Sequence, residues 1–508
     1  MRLAAGLGLA VAAAVLVPLA AVALRAEALA LALGPADVAA LRFTLVQAGL
    51  SAVISGVLAV PLARALGRRR FAGRGALVAL MSAPFVLPVV VAVLGFLAVF
   101  GRAGPVNAAL GALGLPAFSI YGLHGVVMAN VFFNLPLATR MLMLGWQAIP
   151  AERFRLALSL GMPPAAQFRH LEAPMLRAVL PGAVVTVFLI CLSSFAIALT
   201  LGGGPRASTL ELAIYQALRF EADLGRAALL ALFQFALCAG VTLAALGLTR
   251  PEGFGTGLAL RAAAPTPGGW RRALDGVWIG AGAVFLIAPL AAIAARGLPG
   301  LAELPAGLWP ALGRSVLVAL ASTALSLTAA LILALGAAEG RGWLGLSAML
   351  PLSTSSLVLG TGLFILLRPL AGPEALALPV TVLVNAALAL PFVFRLLQPE
   401  AVRVLAGHGR LSRSLGMTAA QRLRLVTLPL LARPIGTGAG LAAALSMGDL
   451  GAVTLFAGER GVTLPLLVQR LIGAYRIEEA AAAALVLVLA SLGLFTLFDR
   501  WGGRHAGL

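Results

Sequence analysis

The chain of 508 residues contains no lysine, and all 37 of its basic residues are arginine. A nucleotide-binding P-loop of the form G-x-x-x-x-G-K-[ST] needs that lysine for its phosphates, and Schiff-base chemistry needs one too. The chain therefore carries neither an ATPase site of that type nor an imine-forming nucleophile. Cysteine is almost as scarce. Cys191 and Cys238 both lie in apolar runs, which gives no support to a disulfide framework or a cysteine zinc site and leaves them as small packing residues. The four histidines, His124, His170, His408 and His505, are scattered without H-x-x-x-H or H-E-x-x-H spacing, so no metal site is expected. Three tyrosines argue against a large aromatic cage for a cation. Charged residues make up only 11% of the chain, against roughly 25% in a soluble domain.

Apolar sequence fills the space. Hydrophobic residues amount to 61% and the mean hydropathy is +1.03, which excludes a soluble or disordered chain. At about 20 apolar residues per spanning helix, runs can be drawn at 3–24, 43–63, 76–100, 119–145, 178–201 and 225–248. Six more follow at 273–295, 315–337, 343–367, 376–397, 434–457 and 480–498. The first run exceeds the 7–15 apolar residues of a cleaved secretory signal and is read as a retained span. Between the sixes lies a polar stretch rich in Pro and Gly, residues 250–272, which reads as a cytoplasmic linker. The expected organisation is a first half over 1–249, the linker, and a second half over 273–508.

The net charge of +19 resolves into a topology signal. With the N-terminus inside, roughly two thirds of the arginines fall on one side, including Arg64, Arg68, Arg69, Arg70 and Arg74, as the positive-inside rule requires. Both termini are then cytoplasmic, and the charge needs no nucleic-acid partner.

A shift of 255 residues superposes the halves without a gap in two stretches. Asn130, Leu135, Pro136 and Arg140 fall on Asn385, Leu390, Pro391 and Arg395; Ser159, Leu160, Gly161, Met162, Arg169 and Pro174 fall on Ser414, Leu415, Gly416, Met417, Arg424 and Pro429. Six spans between equivalents preserve orientation, so the repeats are parallel. The fold class expected is an all-α polytopic membrane protein of about 12 transmembrane helices in two parallel six-helix repeats.

Each half has an arginine-rich loop between its fourth and fifth spans, near 146–177 and 398–433. Both read as helix, glycine break, short helix, proline. Gly161 and Gly416 suit a helix end that needs a left-handed residue. Pro163, Pro164 and Thr418, with the alanines that follow (Ala419 among them), suit the start of a short second helix that mixes apolar and basic residues. Such a helix either docks a two-fold partner or lies on anionic membrane lipids; its repetition favours docking.

These loops resemble the conserved cytoplasmic loop of permeases from ATP-binding-cassette (ABC) importers. Gly161 and Gly416 match its glycine and Leu428-Pro429 its ending; Ala173-Pro174 is a weaker match. Arg155-Leu156-Ala157 and Arg410-Leu411-Ser412 stand where that pattern has Glu-Ala-Ala. The resemblance implies a type I importer-permease fold and a coupling helix near 164–170 and 419–425. It marks Gly161, Pro164, Phe168, Arg169 and Pro174, with Gly416, Ala419, Leu423, Arg424 and Pro429, as contacts for two copies of a separate ABC ATPase subunit. The stretches 193–218 and 446–456 are similar to thiamine importer permeases, and the fused plan also resembles ferric-iron permeases. This implies import of thiamine or its phosphate esters across a bacterial inner membrane, with a periplasmic thiamine-binding protein, ATP and Mg used by the partner ATPase, and no cofactor in this chain.

Four further features are candidates. Gly202, Gly203, Gly204 and Pro205 end the fifth span and serve either as a terminator or as an external docking turn. Asp449 is the one carboxylate placed inside a span, where it either lines the pathway or is a hydrogen-bonded interior residue. Its equivalent is Ser194. Asn130 and Asn385 recur on the fourth spans, where interhelical hydrogen bonding is favoured over substrate contact.

Overall fold

The computed structural model describes residues 2–27, 33–81, 87–202, 204, 207–248, 269–302, 304–459 and 461–505. Gly203, Pro205 and most of the expected linker lie outside them. The remainder of that linker is not all loop, because Trp270 already opens a helix.

In the first half the helices are α1 (Arg2–Glu27), α2 (Pro35–Arg68), α3 (Arg74–Leu80), α4 (Val89–Phe100), α5 (Pro105–Ala112), α6 (Leu123–Ala148), α7 (Ala151–Ser159), α8 (Pro164–Gln167), α9 (Ala173–Leu192), α10 (Phe195–Leu201), α11 (Leu210–Arg219) and α12 (Leu224–Leu248). The second half holds α13 (Trp270–Gly300), α14 (Leu308–Ala338), α15 (Gly342–Met349), α16 (Ser356–Leu367), α17 (Pro373–Ser414), α18 (Ala419–Arg422), α19 (Leu428–Leu430), α20 (Ala432–Gly448), α21 (Gly451–Phe456), α22 (Leu464–Gly473) and α23 (Ile477–His505). Among the described residues eleven helices are long and apolar enough to cross a membrane, or twelve if one sharply bent pair counts as a span. The chain is a multi-pass membrane protein.

Two of the runs read as continuous spans are broken, at matching places in each half. The third span separates into α3 and α4 in the first half, and into α15 and α16 in the second, where the chain turns by 93°. The serine-rich segment Ser353-Thr354-Ser355 makes that turn, and the Ser355 hydroxyl caps α16 by accepting from the Val358 backbone N–H at 3.3 Å. The fifth span breaks at Ser193-Ser194, between α9 and α10, and at Asp449-Leu450, between α20 and α21. Freed backbone groups at membrane depth are tolerated only where protein re-satisfies them. Short polar residues at these breaks do so: Asp449 Oδ1 accepts from the Gly451 N–H at 3.3 Å. A run of apolar letters hides such a break because its hydropathy barely changes.

The halves are intertwined. Helix α1 packs on α12 and on α14, α15 and α16 of the second half, while α13 packs on α2 and α4 of the first. Each half thus lends its first helix to the other. Small residues permit the closest approaches. A Cβ on Gly362 of α16 would stand 2.4 Å from the Pro18 carbonyl oxygen of α1. Where α20 crosses α23, Gly436 and Gly502 meet backbone to backbone, and a Cβ on Gly436 would lie 2.6 Å from the Gly502 Cα. Two backbones cannot yield as a side chain does, so Gly436→Leu is expected to cost about 1–3 kcal/mol by overpacking. Thermal unfolding of the detergent-solubilised protein should show a clearly lowered Tm, and an unchanged Tm would contradict this packing.

Candidate coupling loops and membrane-embedded polar sites

The two arginine-rich loops are built alike from the glycine onward. Helix α7 ends at Gly161, whose φ is +64°, and Gly416 after α17 has φ +65°. In each copy the residue after the glycine closes a Schellman turn: Met162 N–H donates to the Ala157 carbonyl at 2.9 Å and Met417 N–H to the Ser412 carbonyl at 3.1 Å. The next helix then starts, at Pro164 without an N–H to satisfy, and at Ala419 behind a Thr418–Gln421 capping box.

The short helices do not stop at the prolines. Each passes through a π-helical turn, Phe168–Glu172 and Leu423–Thr427, and the turns lead on to α9 and, through α19, to α20. The register change has a cause. Pro174 and Pro429 have no N–H to donate, and in front of each the chain shifts to wider bonds: Ala173 N–H reaches the Phe168 carbonyl and Leu428 N–H the Leu423 carbonyl. The short loop helix and the fifth span are therefore joined by one helical path in the first copy, and by a path with a single turn residue, Leu431, in the second. Arg169 and Arg424 are exposed on this segment, and the same loops carry exposed leucines, Leu156, Leu158 and Leu160 in one copy and Leu411, Leu415 and Leu425 in the other.

The first loop is fastened by an ion cluster. Glu172, 1% exposed, accepts from Arg64 Nε at 2.6 Å and from an Arg68 guanidinium nitrogen at 2.5 Å. The Arg64 guanidinium also lies 4.8 Å from the centre of the Phe168 ring. In the second half the position of Glu172 is taken by Thr427, and the corresponding tie is the longer, more exposed pair Arg422–Glu339 at 3.7 Å.

Deeper in the bundle, the asparagines lock neighbouring helices. Asn130 Nδ2 donates to Gln47 Oε1 at 2.8 Å and reaches Ser194 Oγ at 3.5 Å, and Gln47 Nε2 donates to the Cys191 carbonyl at 2.7 Å. Asn385 Nδ2 donates to Ser446 Oγ, as does the Ser322 hydroxyl, each at 2.9 Å. Asp449 is not the lone carboxylate of the interior: Glu211, at the start of α11, is 2% exposed. Gly202 is held against the carbonyls of Ala198 and Ala207 with no room for a Cβ, and Gly204 has φ +121°.

No family model matches the chain. Over 487 residues it is 40% identical to the thiamine transport system permease protein ThiP of Salmonella typhimurium, covering 92% of this chain and 89% of that one. The Escherichia coli ThiP is 39% identical over 486 residues, with the same coverage, and that of Brucella abortus 39% identical over 471 residues, covering 90% and 87%. The chain belongs to the family of thiamine transport system permease proteins. The molybdenum transport system permease protein ModB of Azotobacter vinelandii is 30% identical over 182 residues, which are 36% of this chain and 80% of that one.

In this member of the thiamine transport system permease family, sequence reasoning found the loop residues Gly161, Pro164, Phe168, Arg169 and Pro174 and their second-half counterparts, and the structure gathers each set on one loop. It missed Glu172 and Glu211. Glu172 sits directly before Ala173-Pro174 in a basic loop, where an acid among arginines is itself a signal for a buried partner. Glu211 follows the N-cap Thr209 and so reads as an ordinary first-turn acid. Glu172→Gln leaves Arg64 and Arg68 facing a neutral group. Removing one partner of such a cluster should cost about 2 kcal/mol, discounted for the partial exposure of Arg64. The Tm of the variant in detergent should fall, and a Tm equal to that of the parent would show the cluster to be energetically idle.

Proposed function

We propose that the chain is the membrane-spanning subunit of an ATP-driven importer that carries thiamine, or its phosphate esters, from periplasm to cytoplasm through a bacterial inner membrane. The observation that carries this reading is the roughly 40% identity to thiamine transport system permease proteins over about nine tenths of the chain. The repeated loops support the mechanism. Two copies of a separate ABC ATPase, which would bind ATP and Mg, seat on the loops at Gly161–Pro174 and Gly416–Pro429, where exposed leucines beside arginines offer an apolar, basic docking surface. The arginine distribution supports cytoplasmic loops and cytoplasmic termini.

In this reading, ATP binding closes the ATPase pair and draws the loops together. Because each coupling segment is joined to the fifth span through its π-helical turn, the displacement is passed to α9 and α20 and on to the breaks at Ser193-Ser194 and Asp449-Leu450. Those breaks let α10 and α21 reorient against the lower helices, which turns the cavity from inward-facing to outward-facing while a loaded thiamine-binding protein docks outside. Gly202 and Gly204 support a turn for that docking. ATP hydrolysis then resets the loops.

Two measurements test the proposal. Uptake of labelled thiamine, with labelled ferric iron in parallel, is compared in source cells with and without the gene. Energy-dependent thiamine uptake should be lost alone and restored by the gene; loss of iron uptake with thiamine unaffected would overturn the cargo. The second test concerns the loops. A Cβ on Gly161 or Gly416 would meet nothing within 4 Å, so replacement strains only the left-handed backbone, by about 1–2 kcal/mol for a residue such as leucine. The pair Gly161→Leu and Gly416→Leu should cut ATP-driven uptake at least tenfold, whereas Gly→Asn at both sites, compatible with that backbone, should retain most of it. Equal uptake by both variants would separate the loops from coupling.

A further inference from the structure

Residues that hold a two-fold repeated fold recur in both halves, as Asn130 and Asn385 do, or Thr44 and Ser315, whose hydroxyls cap α11 and α22 by accepting from the Leu210 and Leu464 N–H groups. Among the described residues the buried acids Asp37 and Glu172 are paired with arginines, whereas Glu211 and the half-buried Asp449 have no arginine partner and no acidic counterpart in the other half. Glu211 is matched in the second half by Pro465, and Asp449 in the first by Ser194. Although far apart in sequence, these two exceptions meet at one junction, where α11 of the first half packs on α16 and α21 of the second. The polar neighbours of the Glu211 carboxyl there are the Ser355 hydroxyl, the Phe195 backbone amide and the Asp449 carboxylate.

The junction has fewer donors than acceptors: the Gly451 N–H serves Asp449 Oδ1, and the Ser355 hydroxyl and the Phe195 amide face Glu211. Among the described residues, Glu211 Oε1, Asp449 Oδ2 and the Thr354 hydroxyl are buried with no hydrogen-bond partner, and no arginine salt-bridges either carboxylate. Ser356 Oγ lies close to the Gly451 backbone, so that a Cβ at 451 would collide with it. Two unpaired acids facing each other in a low-dielectric interior repel, and each is costly there. Asp449 Oδ1 caps α21, but a neutral asparagine would cap it as well; what the two charges lack is a counter-ion, and a mobile cation supplies it.

We infer that Glu211 and Asp449, one from each half, form a transit site for an organic cation at the junction of the halves, with Thr354, Ser355 and Ser356 as its hydroxyl groups. The inference rests on the proposed cargo and deepens it. Thiamine carries a permanent charge on its thiazolium ring, which has no N–H and is attracted by charge alone, and an exocyclic aminopyrimidine N–H₂, which donates to a carboxylate oxygen. A pair of acids with free lone pairs answers both. Asp449 borders the break in the fifth span, so motion of that break alters the distance between the two acids and with it the hold on the cation.

The test uses the complete importer, with its ATPase and binding protein, in proteoliposomes and labelled thiamine as probe. Glu211→Gln and Asp449→Asn keep shape and remove charge. Each single variant should lower the maximal thiamine uptake rate at least tenfold, and the double variant little further, because the acids act as a unit. The Tm of each should equal or exceed that of the parent, since an unpaired charge is removed from the interior. A lowered Tm accompanying the loss would assign the acids a structural role and overturn the inference, as would undiminished uptake by the double variant. Failure of the underlying cargo reading is separate: there the unmodified importer itself would take up ferric iron and not thiamine, and the organic-cation assignment would fall with it.

Discussion

A backbone N–H or C=O inside a bilayer finds no water, so every departure from continuous helix must be satisfied by protein. The structure depends on how this requirement is met at a few sites. In both halves the third and fifth spans are broken, and at three of these breaks a short polar residue takes the place of lost helical bonds: Ser194 after α9, Ser355 at the head of α16 and Asp449 at the head of α21. The fifth span of the second half lies largely inside the bundle and that of the first half nearer its surface, with helices that are whole packed around them. Interlocking α1 and α13 across the halves closes the wrapping, and glycine contacts such as Gly362 on Pro18 and Gly436 on Gly502 bring the helices near enough to leave no lipid between them.

The same economy links the loops to the interior. A proline one turn into the fifth span removes a donor, and the chain answers with a π-helical turn in each copy instead of a stop. Single π-turns are uncommon and concentrate at functional positions. In the proposed mechanism the turn keeps the exposed loop segment in line with the fifth span, so that a push on the loop is delivered to the polar breaks beyond it. The halves share this backbone plan but differ in charge. Glu172 with Arg64 and Arg68 fastens the first loop, where the second has the longer, more exposed Arg422–Glu339 contact, and Glu211 and Asp449 have no charged counterparts. A fused chain permits this asymmetry, because each half mutates on its own.

What could be read from sequence follows from the range of the interactions. Periodic apolar runs, the 255-residue repeat and the left-handed glycines Gly161 and Gly416 are local or pairwise signals, and the architecture follows from them. The breaks within the third and fifth spans were not visible as breaks, since Ser193-Ser194 and Gly448-Asp449 disturb the hydropathy of their runs very little. The crossing of α1 and α13 was not legible either, because an apolar helix face does not name its partner. The pairing of Glu172 with Arg64 spans 108 residues of sequence, and Glu211 meets Asp449 only through the packing of α11 on the other half. Such sites appear only once the fold brings distant residues together.

The central claim is that the two loops approach each other on ATP binding and drive the interior through the fifth spans. Leu160 and Leu415 are equivalent, both about two-thirds exposed beside the left-handed glycines, and the native thiols Cys191 and Cys238 are buried. Cysteines introduced at these two positions accept spin labels selectively, and the distance between the labels can be measured in the full importer with and without ATP. The account predicts a shorter distance with ATP and the loaded binding protein, restored after hydrolysis. A distance that is the same in every nucleotide state would contradict it.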